Sequence, residues 1–203
     1  MSIYTIMDVE EKIVYTSQTW CSSSSSAFFL FSPPPNAILR RIPTGEGLRG
    51  TPGLETRHHH RPKEYHRDWS DPLVCNYTGV YCTTTLDNPS QITVTGIDLN
   101  HGILQGSLPV ELSLLSDLAL LHLNSNAFRG TLPGSLKNLR LLYELDVSNN
   151  QLGGGFPSVI LELPSLRFLD IRFNRLCGDV PSCLFDLPLD ALFLNDNHFT
   201  FSI

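Results

Sequence analysis

Apolar residues in the second half of the chain recur at fixed positions with a period of about 24 residues. Leu118, Leu121 and Leu123 are repeated as Leu142, Leu145 and Val147, and again as Leu166, Leu169 and Ile171. The last two apolar positions of each set are separated by one residue, as in a short strand with one buried face. The pattern therefore predicts one short strand in each period.

Turn-forming residues follow each apolar set at the same period. They are Asn126, Asn150 and Asn174, with Asn197 one residue early; Gly106, Gly130, Gly154 and Gly178; and Pro109, Pro133, Pro157 and Pro181. A carboxamide donates and accepts hydrogen bonds, so a column of Asn can satisfy backbone groups at a bend. Glycine tolerates the sharp turn that follows, and proline starts the return segment. The template LxxLxLxxNxFxGxxP is typical of a leucine-rich-repeat solenoid, an α/β fold.

We expect about 4.5 plant-type coils between Val94 and Phe199, closed on one side by a parallel sheet of five short strands. The predicted strands centre near Ile97–Leu99, Leu121–Leu123, Leu145–Val147, Leu169–Ile171 and Leu192–Leu194. The first coil has Gly102 in place of Asn. The last half coil begins at Leu189, and nothing in the sequence covers its apolar face, so we expect repeats that are truncated at the C-terminus.

The chain is predicted to contain three segments: a disordered low-complexity tail (1–67), an N-terminal cap (68–93) and leucine-rich repeats (94–203). The tail includes Ser22–Ser26 and Ser32–Pro35 and shows no apolar periodicity. No signal peptide is recognisable, because the start is acidic and the apolar run Ala27–Phe31 is too short.

Two cysteines in the cap segment favour an oxidising, extracellular compartment. Cys75 and Cys82 bracket a short loop beside the first coil, and we expect a disulfide with about 4–7 Å between Cα atoms. Asn76 begins a glycosylation sequon with Thr78 inside that loop. Cys21 is expected to be alone. Pairing of Cys177 with Cys183, across a Gly–Pro bend of one coil, is the less favoured alternative.

Charge and motifs narrow the range of functions. The net charge is −6, and residues 94–203 hold 11 acidic and 6 basic residues, which argues against a nucleic-acid partner. No apolar run is long enough to span a membrane. His58–His60 and His66 lack a fixed ligand geometry, and no nucleophile or phosphate-binding motif occurs. We therefore predict a binding protein that is not an enzyme and that holds no metal or cofactor.

Several segments resemble the repeat domain of plant leucine-rich repeat extensins. They are Cys75–Cys82, Gly96–Gly102, Leu115–His122, Leu141–Asn150, Leu163–Asn174 and Leu189–Asn195, so the resemblance covers about residues 69–201. It implies a secreted protein of the cell wall that binds rapid alkalinisation factor peptides, which are small, basic and cysteine-containing. The extensin tail that anchors the family in the wall is not recognisable in this sequence.

The predicted role is a part in cell-wall formation and integrity sensing. Cell-wall polysaccharide and a second copy of the chain are further candidate partners. Two alternatives stay open. One is a protein similar to polygalacturonase inhibitors, which bind a wall-degrading enzyme but normally have more coils. The other is an ectodomain fragment of a receptor kinase.

The predicted peptide-binding site is the concave sheet and its flank. Six acidic residues are expected to collect negative charge there: Asp98, Glu144, Asp146, Asp170, Asp190 and Asp196. Tyr143, Phe168 and Phe193 are expected to add apolar contact, and His122 and Arg172 complete the site. Asp146 and Asp170 are predicted to lie about 5 Å apart on adjacent strands. A solvated polar face without a ligand is the competing interpretation.

Overall fold

The computed structural model of the chain describes residues 73–85 and 88–200. The predictions for the tail, for Cys21 and for the histidines at 58–60 and 66 lie outside the described residues. The described strands are β1 Val80–Thr84, β2 Ile92–Asp98, β3 Gln105–Gly106, β4 Leu120–His122, β5 Ala127–Gly130, β6 Glu144–Asp146, β7 Gln151–Gly155, β8 Phe168–Asp170, β9 Arg175–Asp179, β10 Ala191–Phe193 and β11 His198–Thr200.

The concave sheet has the strand order β1-β2-β4-β6-β8-β10. From β2 to β10 the strands pair in parallel and in sequence order, with Ile97, Leu121, Leu145, Leu169 and Leu192 in one register. The predicted solenoid and its five parallel strands are therefore confirmed. Four of the strands begin and end one residue before the predicted positions, and β2 begins five residues earlier than predicted because it also pairs with the cap strand.

Two features of the sheets were not predicted. The cap strand β1 joins the concave sheet and runs antiparallel to β2. A second sheet of five parallel strands has the order β11-β9-β7-β5-β3. It forms because the chain stays extended after each Asn, so that its backbone groups pair with those of the next coil, as Gly154 does with Leu176. Each coil therefore contributes two strands.

The return segments are short 3₁₀ helices. Those of the repeats are Val110–Leu114, Gly134–Asn138, Ser158–Glu162 and Ser182–Asp186, and a further one in the cap is Val74–Asn76. Each repeat helix is preceded by the proline that recurs at the repeat period, as the sequence template predicts. These prolines have an extended backbone conformation. The helices and the sheets enclose a core of stacked leucines, in which Leu121, Leu145 and Leu169 are fully buried.

The Asn ladder connects neighbouring coils as predicted. The Nδ2 group of Asn150 donates to the Leu123 carbonyl at 2.9 Å, and its Oδ1 accepts from the Phe128 N–H at 3.0 Å. Asn174 repeats this pattern one coil later with Val147 and Leu152. These side chains hold the end of each concave strand in a fixed position, which determines where the surface residues of that strand lie.

The cap is closed by the predicted disulfide. Cys75 and Cys82 are bonded, with 5.7 Å between their Cα atoms. The enclosed loop places Tyr77 and Val80 on the first coil, where both are buried. Asn76 is exposed at the end of its 3₁₀ helix, and its glycosylation stays a prediction. Cys177 is free and exposed, so it is not the partner of Cys183, which is itself disulfide-bonded.

Replacing Cys75 and Cys82 together by serine is expected to lower the free energy of unfolding by about 2.5 kcal/mol, because the open loop gains conformational entropy in the unfolded chain. Urea denaturation of the oxidised protein measures this difference. Cys177→Ser is the control and is expected to stay within about 0.5 kcal/mol of the parent, since its thiol is free and exposed. Equal unfolding midpoints for all three proteins would contradict a stabilising cap disulfide.

Candidate functional site

The concave sheet presents two rows of side chains to solvent. In each short strand the central residue faces the core, buried in β4, β6 and β8 and half-buried in β10, and the residues on either side point outward. The first row, in register, is Gly96, Leu120, Glu144, Phe168 and Ala191. The second row is Asp98, His122, Asp146, Asp170 and Phe193. Seven of the predicted site residues lie in these rows.

Three aspartates of the second row shape the turn after their own strand. The Oδ1 atoms of Asp98, Asp146 and Asp170 accept hydrogen bonds from the backbone N–H two residues later, at 3.1, 2.9 and 3.1 Å. Such local bonds are a common reason for aspartate at a turn. The aspartates therefore have a structural role, and only those with accessible oxygen atoms are available to a ligand.

Asp170 does not present a free carboxylate, which corrects one part of the predicted acidic surface. Its side chain is buried, and Oδ2 accepts from the Arg172 Nε at 2.9 Å. Burial raises the pKa of Asp170 from 3.8 to about 6, and the carboxylate of Asp146 on the adjacent strand adds to the rise. The backbone N–H and guanidinium of Arg172 act in the opposite direction. Asp146 and Asp170 are neighbours as predicted, but with unequal exposure.

Glu144 is also paired. Its Oε2 lies 3.0 Å from the Nε2 of His122 on the preceding strand, and both side chains are partly exposed. The pair therefore connects His122, in the second row on β4, with Glu144, in the first row on β6.

Two of the three predicted aromatic residues lie together on the last two strands. Phe168 and Phe193 lie with ring centroids 5.6 Å apart and planes tilted by 51°. The guanidinium of Arg172 lies 4.7 Å from the Phe193 ring centroid, a cation–π distance. Tyr143, one residue before β6, is 47% exposed. We call Phe168 and Phe193, with Arg172 above the second ring, the aromatic step.

Asp190 and Asp196 lie on the flank of the sheet. Asp190 precedes β10, and its backbone N–H donates to the Arg167 carbonyl at 2.7 Å. Asp196 lies in the turn after β10, where its backbone φ is 56°. Both residues are exposed, so their carboxylates border the site from opposite ends of the last strand.

Two exposed aromatic residues on and beside the concave sheet were not predicted as site residues. Tyr81 on β1 is paired with Gly96, and a side chain at Gly96 would lie 3.3 Å from the Tyr81 Cβ, so the tyrosine covers the start of the concave face. The only signal for this contact is the glycine inside a strand. Phe173 is 49% exposed in a turn with φ 53°, where the other coils have polar residues. The repeat template contains no signal for it.

The concave surface is suited to binding, because its outward side chains are held on a rigid parallel sheet. Among residues 73–85 and 88–200, no group of three or more His, Cys, Asp or Glu is placed to hold a metal ion. The same residues include no helix with the length and apolar character needed to cross a membrane. What the face offers a ligand is negative charge, hydrogen-bonding groups and aromatic rings on a rigid sheet.

Residues 116–176 match the leucine rich repeat family. Leucine-rich repeat extensin-like protein 6 of Arabidopsis thaliana is 64% identical over 62 residues, a region that spans 30% of this chain and only 13% of that relative. In the crystal structure of the BIR3–SERK2 complex from Arabidopsis thaliana, one chain is 30% identical, with a TM-score of 0.57 and coverage of 67% of this chain and 71% of that one. The plant peptide hormone receptor RGFR1, in complex with RGF2, is 31% identical with a TM-score of 0.51 and coverage of 54% and 18%.

Proposed function

Because the chain belongs to the leucine-rich repeat proteins of plants and its repeats are related to those of the extensin-like members, we propose that it binds a small basic signalling peptide on its concave sheet. By the same relationship we propose an extracellular location in the cell wall and a part in wall formation and integrity sensing. The ligand class implied by the extensin resemblance is the rapid alkalinisation factor peptide, which is basic and contains cysteines.

The negative charge at the centre of the sheet is the observation that supports this proposal most strongly. Asp98, Glu144 and Asp146 lie on strands β2 and β6, where no lysine or arginine occurs in the outward rows. His122 is the one basic side chain among them, and it is already paired with Glu144. A basic ligand would neutralise this charge, and an acidic surface also accelerates the approach of a cationic partner.

The repeat fold of a related peptide receptor supports this proposal. RGFR1 is a peptide hormone receptor with a similar repeat fold. Parallel strands give such a fold a rigid row of side chains, so a peptide can bind with little rearrangement of the protein. The described sheet has this row, and its aromatic step adds apolar area beside the charged strands.

Replacing Asp98 and Asp146 by asparagine is expected to weaken binding of a synthetic, disulfide-bonded rapid alkalinisation factor peptide by about tenfold, or 1.4 kcal/mol. Asparagine keeps the oxygen that accepts from the turn N–H and removes only the charge, so the strands should stay in place. Isothermal titration calorimetry gives the Kd, and the loss should shrink at high salt because charge attraction is screened.

Glu162→Gln with Asp186→Asn is the matched control. It removes the same charge from two 3₁₀ helices of the return segments, away from the concave sheet. This control should bind the peptide within about twofold of the parent, less than 0.5 kcal/mol. Equal weakening by the control pair would show that net charge alone acts, and no weakening by the aspartate pair would contradict binding at the concave sheet.

A further inference from the structure

The concave sheet is divided into two halves with different charge. The outward residues of β2, β4 and β6 and the positions just before and after them, within 95–100, 119–124 and 143–148, include Asp98, Glu144 and Asp146 and no lysine or arginine. We call this the acidic half. Its only basic group is the imidazole of His122. A cation placed here meets uncompensated negative charge.

The half formed by β8 and β10 is closer to charge balance, because two arginines stand against Asp170, Asp190 and Asp196. Arg172 is paired with Asp170 at 2.9 Å, and the guanidinium of Arg167 donates to the Pro188 carbonyl at 2.7 Å, just before β10. The arginines therefore offset most of the negative charge of this half. A basic residue of a ligand gains little here and meets the guanidinium of Arg172 at close range.

Apolar area replaces net charge in this second half. The Phe168 and Phe193 rings contact each other at 5.6 Å and stay partly exposed. Arg172 is held on one side by Asp170 and covers the Phe193 ring at 4.7 Å, so the position of this ring is fixed by contacts on two sides. A pre-positioned aromatic surface binds an apolar side chain without loss of its own rotamer freedom.

The two halves have the dimensions of a short extended segment. Five adjacent strands span about 19 Å across the sheet at about 4.8 Å per spacing, and an extended chain covers this distance with about six residues. The order of the strands then fixes the order of residue types along the ligand.

We propose that the concave sheet is a two-part site for an extended peptide whose basic residues lie over the acidic half and whose apolar or aromatic residue lies on the aromatic step. This inference rests on the proposed function and extends it, because it states which ligand residues contact which strands. Basic charge alone is then insufficient for full affinity, and the reversed placement is weaker because the half with Arg172 offers a basic residue little negative charge.

Two synthetic peptides of about eight residues test the inference. Both carry lysines in one half, and the other half contains tryptophan in the first peptide and serine at the same position in the second. Each is made in both sequence directions. One direction places the lysines over the acidic half and the tryptophan on the aromatic step. In that direction, replacing tryptophan by serine is expected to weaken binding to the parent protein at least about fivefold.

Protein variants locate the effect. With Phe193→Ala the two peptides should bind within about twofold of each other, because the ring that distinguishes them is gone. Phe193→Leu keeps apolar volume and should retain part of the preference, so it tests the site even if the alanine variant folds poorly. Asp98→Asn with Asp146→Asn should weaken both peptides by the same factor, since it changes only the acidic half.

The outcomes separate this inference from the proposed function. If both peptides bind the parent equally well and both are weakened by the aspartate variants, basic-peptide binding stands and the two-part site is wrong. If tryptophan strengthens binding equally with and without the Phe193 ring, the aromatic step is not its contact and the inference is overturned. If neither peptide binds the parent, the two-part site is wrong, and calorimetry with the disulfide-bonded peptide still decides the proposed function.

Discussion

Asn150→Ala is expected to lower the free energy of unfolding by about 3 kcal/mol, since the side chain makes the equivalent of three hydrogen bonds of about 1 kcal/mol each. The two hydrogens of Nδ2 are shared among three backbone carbonyls, and Oδ1 accepts from the Phe128 N–H. Alanine leaves that N–H buried beside an apolar methyl group. Chemical denaturation followed by circular dichroism measures the loss.

The matched control is Asn138→Ala, which removes an exposed carboxamide at the end of a 3₁₀ helix. It is expected to change the free energy of unfolding by less than about 0.5 kcal/mol. A similar small change for Asn150→Ala would show that the ladder is not a main source of stability. Other contacts would then have to hold the ends of the concave strands in place.

The second large effect concerns pH. Asp170 has a pKa of about 6 in the folded protein against 3.8 as its ordinary value, so the folded state binds this proton more tightly than the unfolded chain does. The contribution of this group to the free energy of unfolding is therefore largest below about pH 4, and it is lost as the pH rises through 6. The loss amounts to about 3 kcal/mol for this one group.

Asp170→Asn isolates this contribution from other titrating groups. The free energy of unfolding of the parent minus that of the variant should decrease by about 2.4 kcal/mol between pH 4 and pH 7, because only the parent ionises at this position. Denaturation curves at several pH values measure the difference. A difference that stays constant over this range would show that Asp170 titrates normally, and a rise would mean that Arg172 dominates over burial.

The repeat template made most of the fold predictable. The positions of Leu121, Leu145 and Leu169 determine the strand register, because a shift by one residue would expose them. The Asn column and the cap disulfide also follow from residue types with few alternative roles. These features depend on contacts that recur in every coil, so a single sequence contains several copies of the same signal.

The chemistry of the site was less predictable, because it depends on contacts between particular side chains. Alternation correctly placed Asp146 and Asp170 on one face, but it could not show that Arg172 covers Asp170 and leaves Asp146 more accessible. The contact of Tyr81 with Gly96 arises from the antiparallel cap strand, which has no counterpart in the repeats. The second sheet was missed because its strands contain glycines and show little apolar alternation.

Photo-crosslinking of a bound rapid alkalinisation factor peptide tests the central claim most directly. The peptide carries a benzophenone amino acid at single positions, and mass spectrometry of the digested complex identifies the crosslinked residues. The account predicts crosslinks to outward residues of the concave strands, such as His122, Tyr143 and Phe193. Crosslinks confined to the second sheet, for example to Gln151 or Arg175, would contradict binding on the concave sheet.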